Sequence, residues 1–247
     1  MEAARAAALA GHNVTLYEKS DRLGGQFSLA PIPPFKGNMA YLPSWLARQI
    51  KKLGINIKLN TEYTSTLCDE EKPDVVIIAT GSTPAKPSIP GVDGTNVVTA
   101  QDALAGKVTV KGKILVAGGG MIGCETATHF AMQGKEVAIV ELLPEIATDE
   151  ESTRREFLLN FIEQKKIQVM TGTKVVEVNE KGAKLEKDGE IFDFDADTII
   201  LALGVKPNSG LAKELEGKTQ VKVIGDALKI RNALDAVREG FLAGMNV

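Results

Sequence analysis

Lys113-Ile-Leu-Val-Ala-Gly118-Gly-Gly120-Met-Ile-Gly123, carried on through Gly134 to Glu136-Val-Ala-Ile-Val140-Glu141, is the stretch on which the fold turns. Residues 113–117 form a short apolar run of the kind that makes a buried strand of a parallel sheet. A glycine loop follows at once. Next come a helical stretch from Met121 to about Gln133, stopped by Gly134, and a second strand over Glu136–Val140 with Glu141 at its end. Strand, G-x-G-x-x-G, helix, strand and acid make up the dinucleotide-binding fingerprint. The 18 residues from Gly123 to Glu141 lie close to the spacing of about 20 that it requires. Each part has a physical task. Gly118 permits the tight turn, Gly120 lets the backbone approach a pyrophosphate, and Gly123 lets helix and strand pack closely. The helix N-terminus offers unpaired N–H groups and a positive dipole end. Glu141 can accept hydrogen bonds from a ribose, and its charge favours NAD(H) over a 2′-phosphorylated nucleotide. No arginine lies between Leu142 and Thr148 to receive such a phosphate, and Arg154 and Arg155 read as a solvated helix face.

The first 18 residues lie on this unit without a gap at an offset of 123. Glu2, Ala4, Ala8, Gly11, Val14 and Glu18 fall on identical residues Glu125, Ala127, Ala131, Gly134, Val137 and Glu141. The chain therefore opens on the helix of a second dinucleotide unit, whose strand and glycine loop are expected upstream of Met1. A sheet without that strand has exposed edges, which invite self-association.

The 247 residues suit two modest domains. Hydrophobic residues at 44% supply a core, and a net charge of -3 argues against a nucleic-acid surface. No apolar run approaches the length of a membrane span. Cys68 and Cys124 are far apart, with no C-x-x-C, so neither a redox dithiol nor a metal site is expected, and a reducing, cytoplasmic setting fits. Elsewhere, helices are expected over 39–53, 149–165 with Thr148 or Asp149 as N-cap, and 231–244. Strands are expected over 55–59, 74–81, 167–170, 173–178, 181–186, 190–195 and 221–226. Thr198-Ile-Ile-Leu-Ala-Leu-Gly204 echoes Val75 to Gly81: a buried strand, a small residue and a glycine.

Taken together, these motifs resemble the two-dinucleotide-binding-domain flavoproteins. Leu16-Tyr-Glu-Lys-Ser-Asp-Arg-Leu-Gly-Gly-Gln26, Ile224-Gly-Asp226, Arg231-Asn-Ala233 and Glu239-Gly240 are most similar to the 2,4-dienoyl-CoA reductase, 2-enoate reductase and trimethylamine dehydrogenase branch. The resemblance covers essentially the whole chain. It implies an α/β fold of two Rossmann-like domains. The first would be an FAD-type domain over 1–95 and 204–247, lacking its opening strand and glycine loop, and the second an NAD(H) domain over 96–203. By that resemblance Glu18 and Lys19 would hold the adenosine of FAD, and Gly24, Gly25 and Gln26 would run along it. Thr80 and Gly81 would close over its phosphates, and Gly225 and Asp226 would hold its ribityl or pyrophosphate portion. Gly118, Gly120, Met121, Ile122, Gly123 and Glu141 would bind the pyridine nucleotide, with Gly204 closing over it. The reaction implied is hydride transfer from NADH to FAD, carried by the cofactors, with no side-chain acid, base or nucleophile. Electrons would pass on to a barrel half carrying FMN and an iron–sulfur cluster, for which the chain has no matching residues. The competing expectation is a non-catalytic nucleotide-binding or docking module; a small thioredoxin-reductase-type enzyme is disfavoured by the lack of C-x-x-C. Glu2 and Glu125 are expected to face solvent in the first helical turn, with a place near the nicotinamide as the alternative for Glu125.

Overall fold

A computed structural model describes every residue, Met1–Val247. The chain forms two compact α/β units. One comprises Met1–Ala30, Asn38–Thr83 and Val205–Val247, and the other Pro31–Gly37 and Pro84–Gly204. The chain changes units at 30/31, 37/38, 83/84 and 204/205, where the sequence-based division placed changes at 95/96 and 203/204 alone. Pro31–Gly37 packs with the second unit because Phe35 meets Phe157 and Phe161 edge-on, each at 5.3 Å, and Lys36 pairs with Glu125.

The second unit is built on a five-stranded parallel sheet. Its order is Val97–Thr99, Thr198–Leu201, Ile114–Ala117, Val137–Val140, Gln168–Met170. The three inner strands are buried along their whole length, which is why they read as continuous apolar runs rather than as alternation. Alternate side chains nonetheless serve different layers. Ile114 and Val116 join Ile139, Ile200, Ala127 and Phe130 in a cluster with the helices, while Leu115 and Ala117 pack with Ala138, Val178 and Leu185. That second face is covered by an antiparallel meander of Thr173–Asn179, Gly182–Lys187 and Glu190–Asp195.

The first unit repeats the pattern in reduced form. Helix Glu2–Leu9 ends 123 residues before helix Met121–Met132 does, and strand Thr15–Tyr17 ends 123 residues before Val137–Val140. The helix ends close with matching hydrogen bonds. Gly11 N donates to Ala8 O and His12 N to Ala7 O; Gly134 N donates to Ala131 O and Lys135 N to Phe130 O, all at 3.1 or 3.2 Å. Gly11 and Gly134 both have positive φ, 95° and 81°, the left-handed closure that glycine adopts without a steric penalty. The likeness runs past the region legible in sequence. Glu18 and Glu141 each donate their N–H to the end of the next strand (Lys58 O and Met170 O), and each carbonyl accepts from a threonine three residues further on (Thr61 and Thr173). The strands of this unit do not form one sheet. Thr15–Tyr17 pairs with Asn56–Lys58, Val75–Ile78 pairs with Gln220–Val223, and both are parallel two-stranded ribbons. Their residues are mostly half-buried, in contrast to the fully buried strands of the second unit.

The helix expected over 149–165 spans Ser152–Gln164, with Glu151 rather than Thr148 or Asp149 as its N-cap; Glu151 accepts from the N–H groups of Thr153 and Arg154. No helix is long and apolar enough to cross a membrane.

Candidate functional site

In the second unit the glycine loop emerges from strand Ile114–Ala117 and runs into helix Met121–Met132. Two of its glycines are fixed by packing. A Cβ on Gly123 would lie 1.9 Å from the Gly118 carbonyl oxygen, and one on Gly118 would lie 2.4 Å from that of Ala202, with Gly118 itself at φ 105°. Gly120 differs. A Cβ there would meet nothing closer than the Asp149 carboxylate, at 3.4 Å, so the face a pyrophosphate would approach is free of backbone. Glu141 is aimed at the loop. One carboxylate oxygen accepts from Gly119 N at 2.6 Å and the other from Leu143 N at 2.8 Å. Ile122 is 41% exposed at the head of the helix. Cys124, behind the loop, is buried, and its thiol donates to the Gly119 carbonyl at 3.2 Å. Burial, with Asp149 and Glu141 nearby, pushes it up to about 12, so it is an inert packing residue. Arg154 and Arg155 are paired with Glu150 and Glu145 and are not free for a phosphate. The structure therefore gathers Gly118 and Gly120 of the loop, Met121, Ile122 and Gly123 at the head of the helix, and Glu141, bonded in from the end of strand Val137–Val140. Gly204 sits at φ 85° just beyond strand Thr198–Leu201, and its carbonyl accepts from Ala85 N at 3.0 Å.

In the first unit Glu18 ends its strand half-buried. It accepts at Oε1 from Ser20 N at 2.9 Å and from Ser20 Oγ at 2.7 Å, which leaves its second oxygen free. Lys19 is exposed. Gly24 and Gly25 take φ 120° and 52° at the entry to a short 3-10 turn, and Gln26 donates to the buried Ser82 through its carbonyl and, at 3.3 Å, its hydroxyl. Thr80 donates to the Asn208 carbonyl, and Asn208 N donates to Gly81 O at 2.9 Å, so these two segments are tied together. At the far end Gly225 (φ 60°) donates to Glu239 Oε2 at 2.7 Å, and Asp226 accepts from Arg231 N at 3.1 Å. Arg231 also pairs with Glu239 and holds that carboxyl below its usual range, assisted by the Gly225 N–H. Asn232 caps helix Ala233–Met245 by accepting from Asp235 N at 3.0 Å.

The repeated glutamates do not face solvent as expected. Glu2 pairs with Arg5 at 2.7 Å, its side chain only 9% exposed, and Glu125 pairs with Lys36 at 2.7 Å, with side chains 14% and 19% exposed. Burial pushes the Glu125 carboxyl up, and Lys36 opposes the shift. Lys36 gave no local signal: it lies 89 residues from its partner in a Pro- and Gly-rich segment. No group of three or more His, Cys, Asp or Glu residues is arranged to hold a metal ion.

Residues 1–225 match the family profile described as pyridine nucleotide-disulphide oxidoreductase. The chain is 38% identical over 248 residues to the NADH oxidase of Thermoanaerobacter brockii, covering 98% of this chain and 38% of that protein. It is 34% identical over 251 residues to the cinnamate reductase of Clostridium sporogenes, covering 100% of this chain and 37% of that one. Among solved structures, 2-naphthoyl-CoA reductase in complex with 2-naphthoyl-CoA superposes with a TM-score of 0.94 at 34% identity, over 100% of this chain and 38% of that one. The chain thus spans well under half the length of each of these three relatives.

Proposed function

Because the chain belongs to the pyridine nucleotide-disulphide oxidoreductase family, and within it to the FAD- and NAD-binding part of the 2-enoate-reductase-like enzymes, we propose that it is the module that takes electrons from NADH into FAD. It is an NAD(P)H-dependent flavoprotein oxidoreductase domain. The finer reading is that FAD hands its electrons to an FMN and iron–sulfur half, which would occupy part of the roughly three-fifths of each relative that this chain does not match.

The observation that carries the reading is the glycine loop with Glu141 bonded into it. With the dinucleotides bound, nicotinamide and flavin supply hydride transfer, a two-electron exchange intrinsic to the cofactors. The protein's part is to bind and orient. N–H groups at the head of helix Met121–Met132 would face the diphosphate, and Glu141, held from below by Gly119 N and Leu143 N, would accept from the ribose. Its charge, with both nearby arginines already paired, favours NADH over NADPH. In the first unit Glu18 would use its free oxygen for the adenosine ribose. Gly24, Gly25, Gln26, Thr80 and Gly81 would line the flavin nucleotide, and Gly225 and Asp226 would hold its middle. Lys36 pairs with Glu125 of the glycine-loop helix and opposes the rise that burial gives its carboxyl.

The test is direct. The purified chain is incubated with FAD, passed through a desalting column, and its visible spectrum recorded before and after NADH. Retained flavin that bleaches with NADH supports an electron-transfer module. Retained flavin indifferent to NADH points to a docking role instead. The ribbons of the first unit are less buried than the sheet of the second, so NADH is expected to bind more firmly than FAD.

A further inference from the structure

The free face of Gly120 is met by a carboxylate of the chain itself. Asp149 Oδ1 accepts from the Met121 N–H at 2.7 Å, and a Cβ on Gly120 would lie 3.4 Å and 3.6 Å from the two carboxylate oxygens. This is the first N–H of the glycine-loop helix, one of the orphan donors that a helix start must satisfy. The segment before Asp149 is clamped onto the loop. Ala147 N donates to Gly119 O at 2.7 Å, Ala147 is buried at φ 52°, and Ile146 packs over Gly119, where a Cβ would lie 2.6 Å from its side chain. Asp149 itself is exposed and makes no salt bridge, whereas the neighbouring Glu145 and Glu150 each hold an arginine. A negative charge therefore rests, without a cation, where the diphosphate of a dinucleotide would come.

We propose that Asp149 is a built-in competitor for that diphosphate. It caps the helix while the site is empty and swings outward when the nucleotide binds. The proposal rests on the dinucleotide reading of this loop and adds a residue that sets its affinity. With the donor occupied for part of the time, apparent affinity falls in proportion to the open fraction. Like charge also opposes the incoming anion at a helix end that would otherwise favour it.

The experiment titrates NADH, and separately inorganic pyrophosphate, into the wild-type chain, Asp149→Asn and Asp149→Ala by calorimetry, with Tm measured in the absence of nucleotide. Both variants are expected to bind NADH more tightly, by roughly two- to fivefold, the scale of one exposed charge at a helix terminus. Asp149→Ala, which loses the cap, is expected to melt a few degrees lower without nucleotide. Asp149→Asn keeps an acceptor and its Tm. A merely structural cap would give the opposite sign, weaker binding in Asp149→Ala. If the wild type binds NADH and neither variant binds it more tightly, the competitor role is overturned and the dinucleotide site stands. If no form binds NADH or pyrophosphate, both readings fall.

Discussion

A single residue can carry a sequence signal and a structural task that differ, and Glu125 is the case in point. It sits in the second turn of helix Met121–Met132, one turn past the dipole end that the repeat with Glu2 suggested, and it is mostly enclosed and paired with Lys36. Desolvation raises its carboxyl and Lys36 pulls the other way. A carboxyl raised in the folded state favours the fold at low pH and counts against it as pH climbs through its folded value. Lys36→Met removes the opposing charge and enlarges that effect. The variant is therefore expected to match the wild type closely in acid and to fall behind it by about 1–3 kcal/mol at pH 8, the cost of a buried charge left without its partner. Thermal melts of both proteins at pH 5 and pH 8 check this; a deficit independent of pH would mean that Lys36 acts through its alkyl chain alone.

At the level of elements, the first unit is held by the approach of its two terminal helices. Ala3, Ala6 and Ala7 of Glu2–Leu9 are buried, as are Gly240 and Gly244 of Ala233–Met245. A Cβ on Gly244 would lie 2.4 Å from the Ala3 carbonyl oxygen and 2.8 Å from the Ala6 Cβ, so small residues on both sides set the spacing. The alanine-rich start of the chain is thus one half of a close helix pair, and its bias toward the smallest side chains follows from that. Gly244→Ala, normally a gain in helix propensity, should here lower stability by about 1–3 kcal/mol through overpacking. Urea titration would record it as a lower midpoint with unchanged slope. An unchanged or raised midpoint would show that the last turn moves aside.

Across the whole molecule, one architecture appears twice at different degrees of completion. The second unit places its glycine loop on a five-stranded sheet whose inner strands are fully buried; the first has two separate ribbons in place of one sheet. Opening free energies follow burial and hydrogen bonding. Amide exchange is therefore expected to be slowest in 114–117, 137–140 and 198–201 and clearly faster in 15–17 and 75–78, although these are the counterparts of 138–140 and 198–201. Mass-spectrometric exchange resolves the two sets, and equal protection would contradict the division.

The amino-acid sequence was sufficient for what depends on local backbone chemistry: the glycine loop and its spacing to Glu141, the apolar strand runs, the repeat at offset 123, and the strand of the meander read as 190–195 and found at Glu190–Asp195. Period, turn chemistry and chain spacing are written within a few residues, and the family resemblance rests on them. Short elements such as helix Ser65–Glu71 and strand Ser82–Pro84 escaped, since so few residues carry no period. Partnership was decided by tertiary structure alone. Asp149 reads as the cap of the helix that follows it and instead caps one that begins 28 residues earlier. Glu125 finds Lys36 across 89 residues and Gln26 finds Ser82 across 56. A polar or charged side chain goes to whichever donor, acceptor or counter-charge the folded loops bring within about 3 Å, and that proximity is fixed by how the sheet and its connections close, not by the residues beside it in the chain.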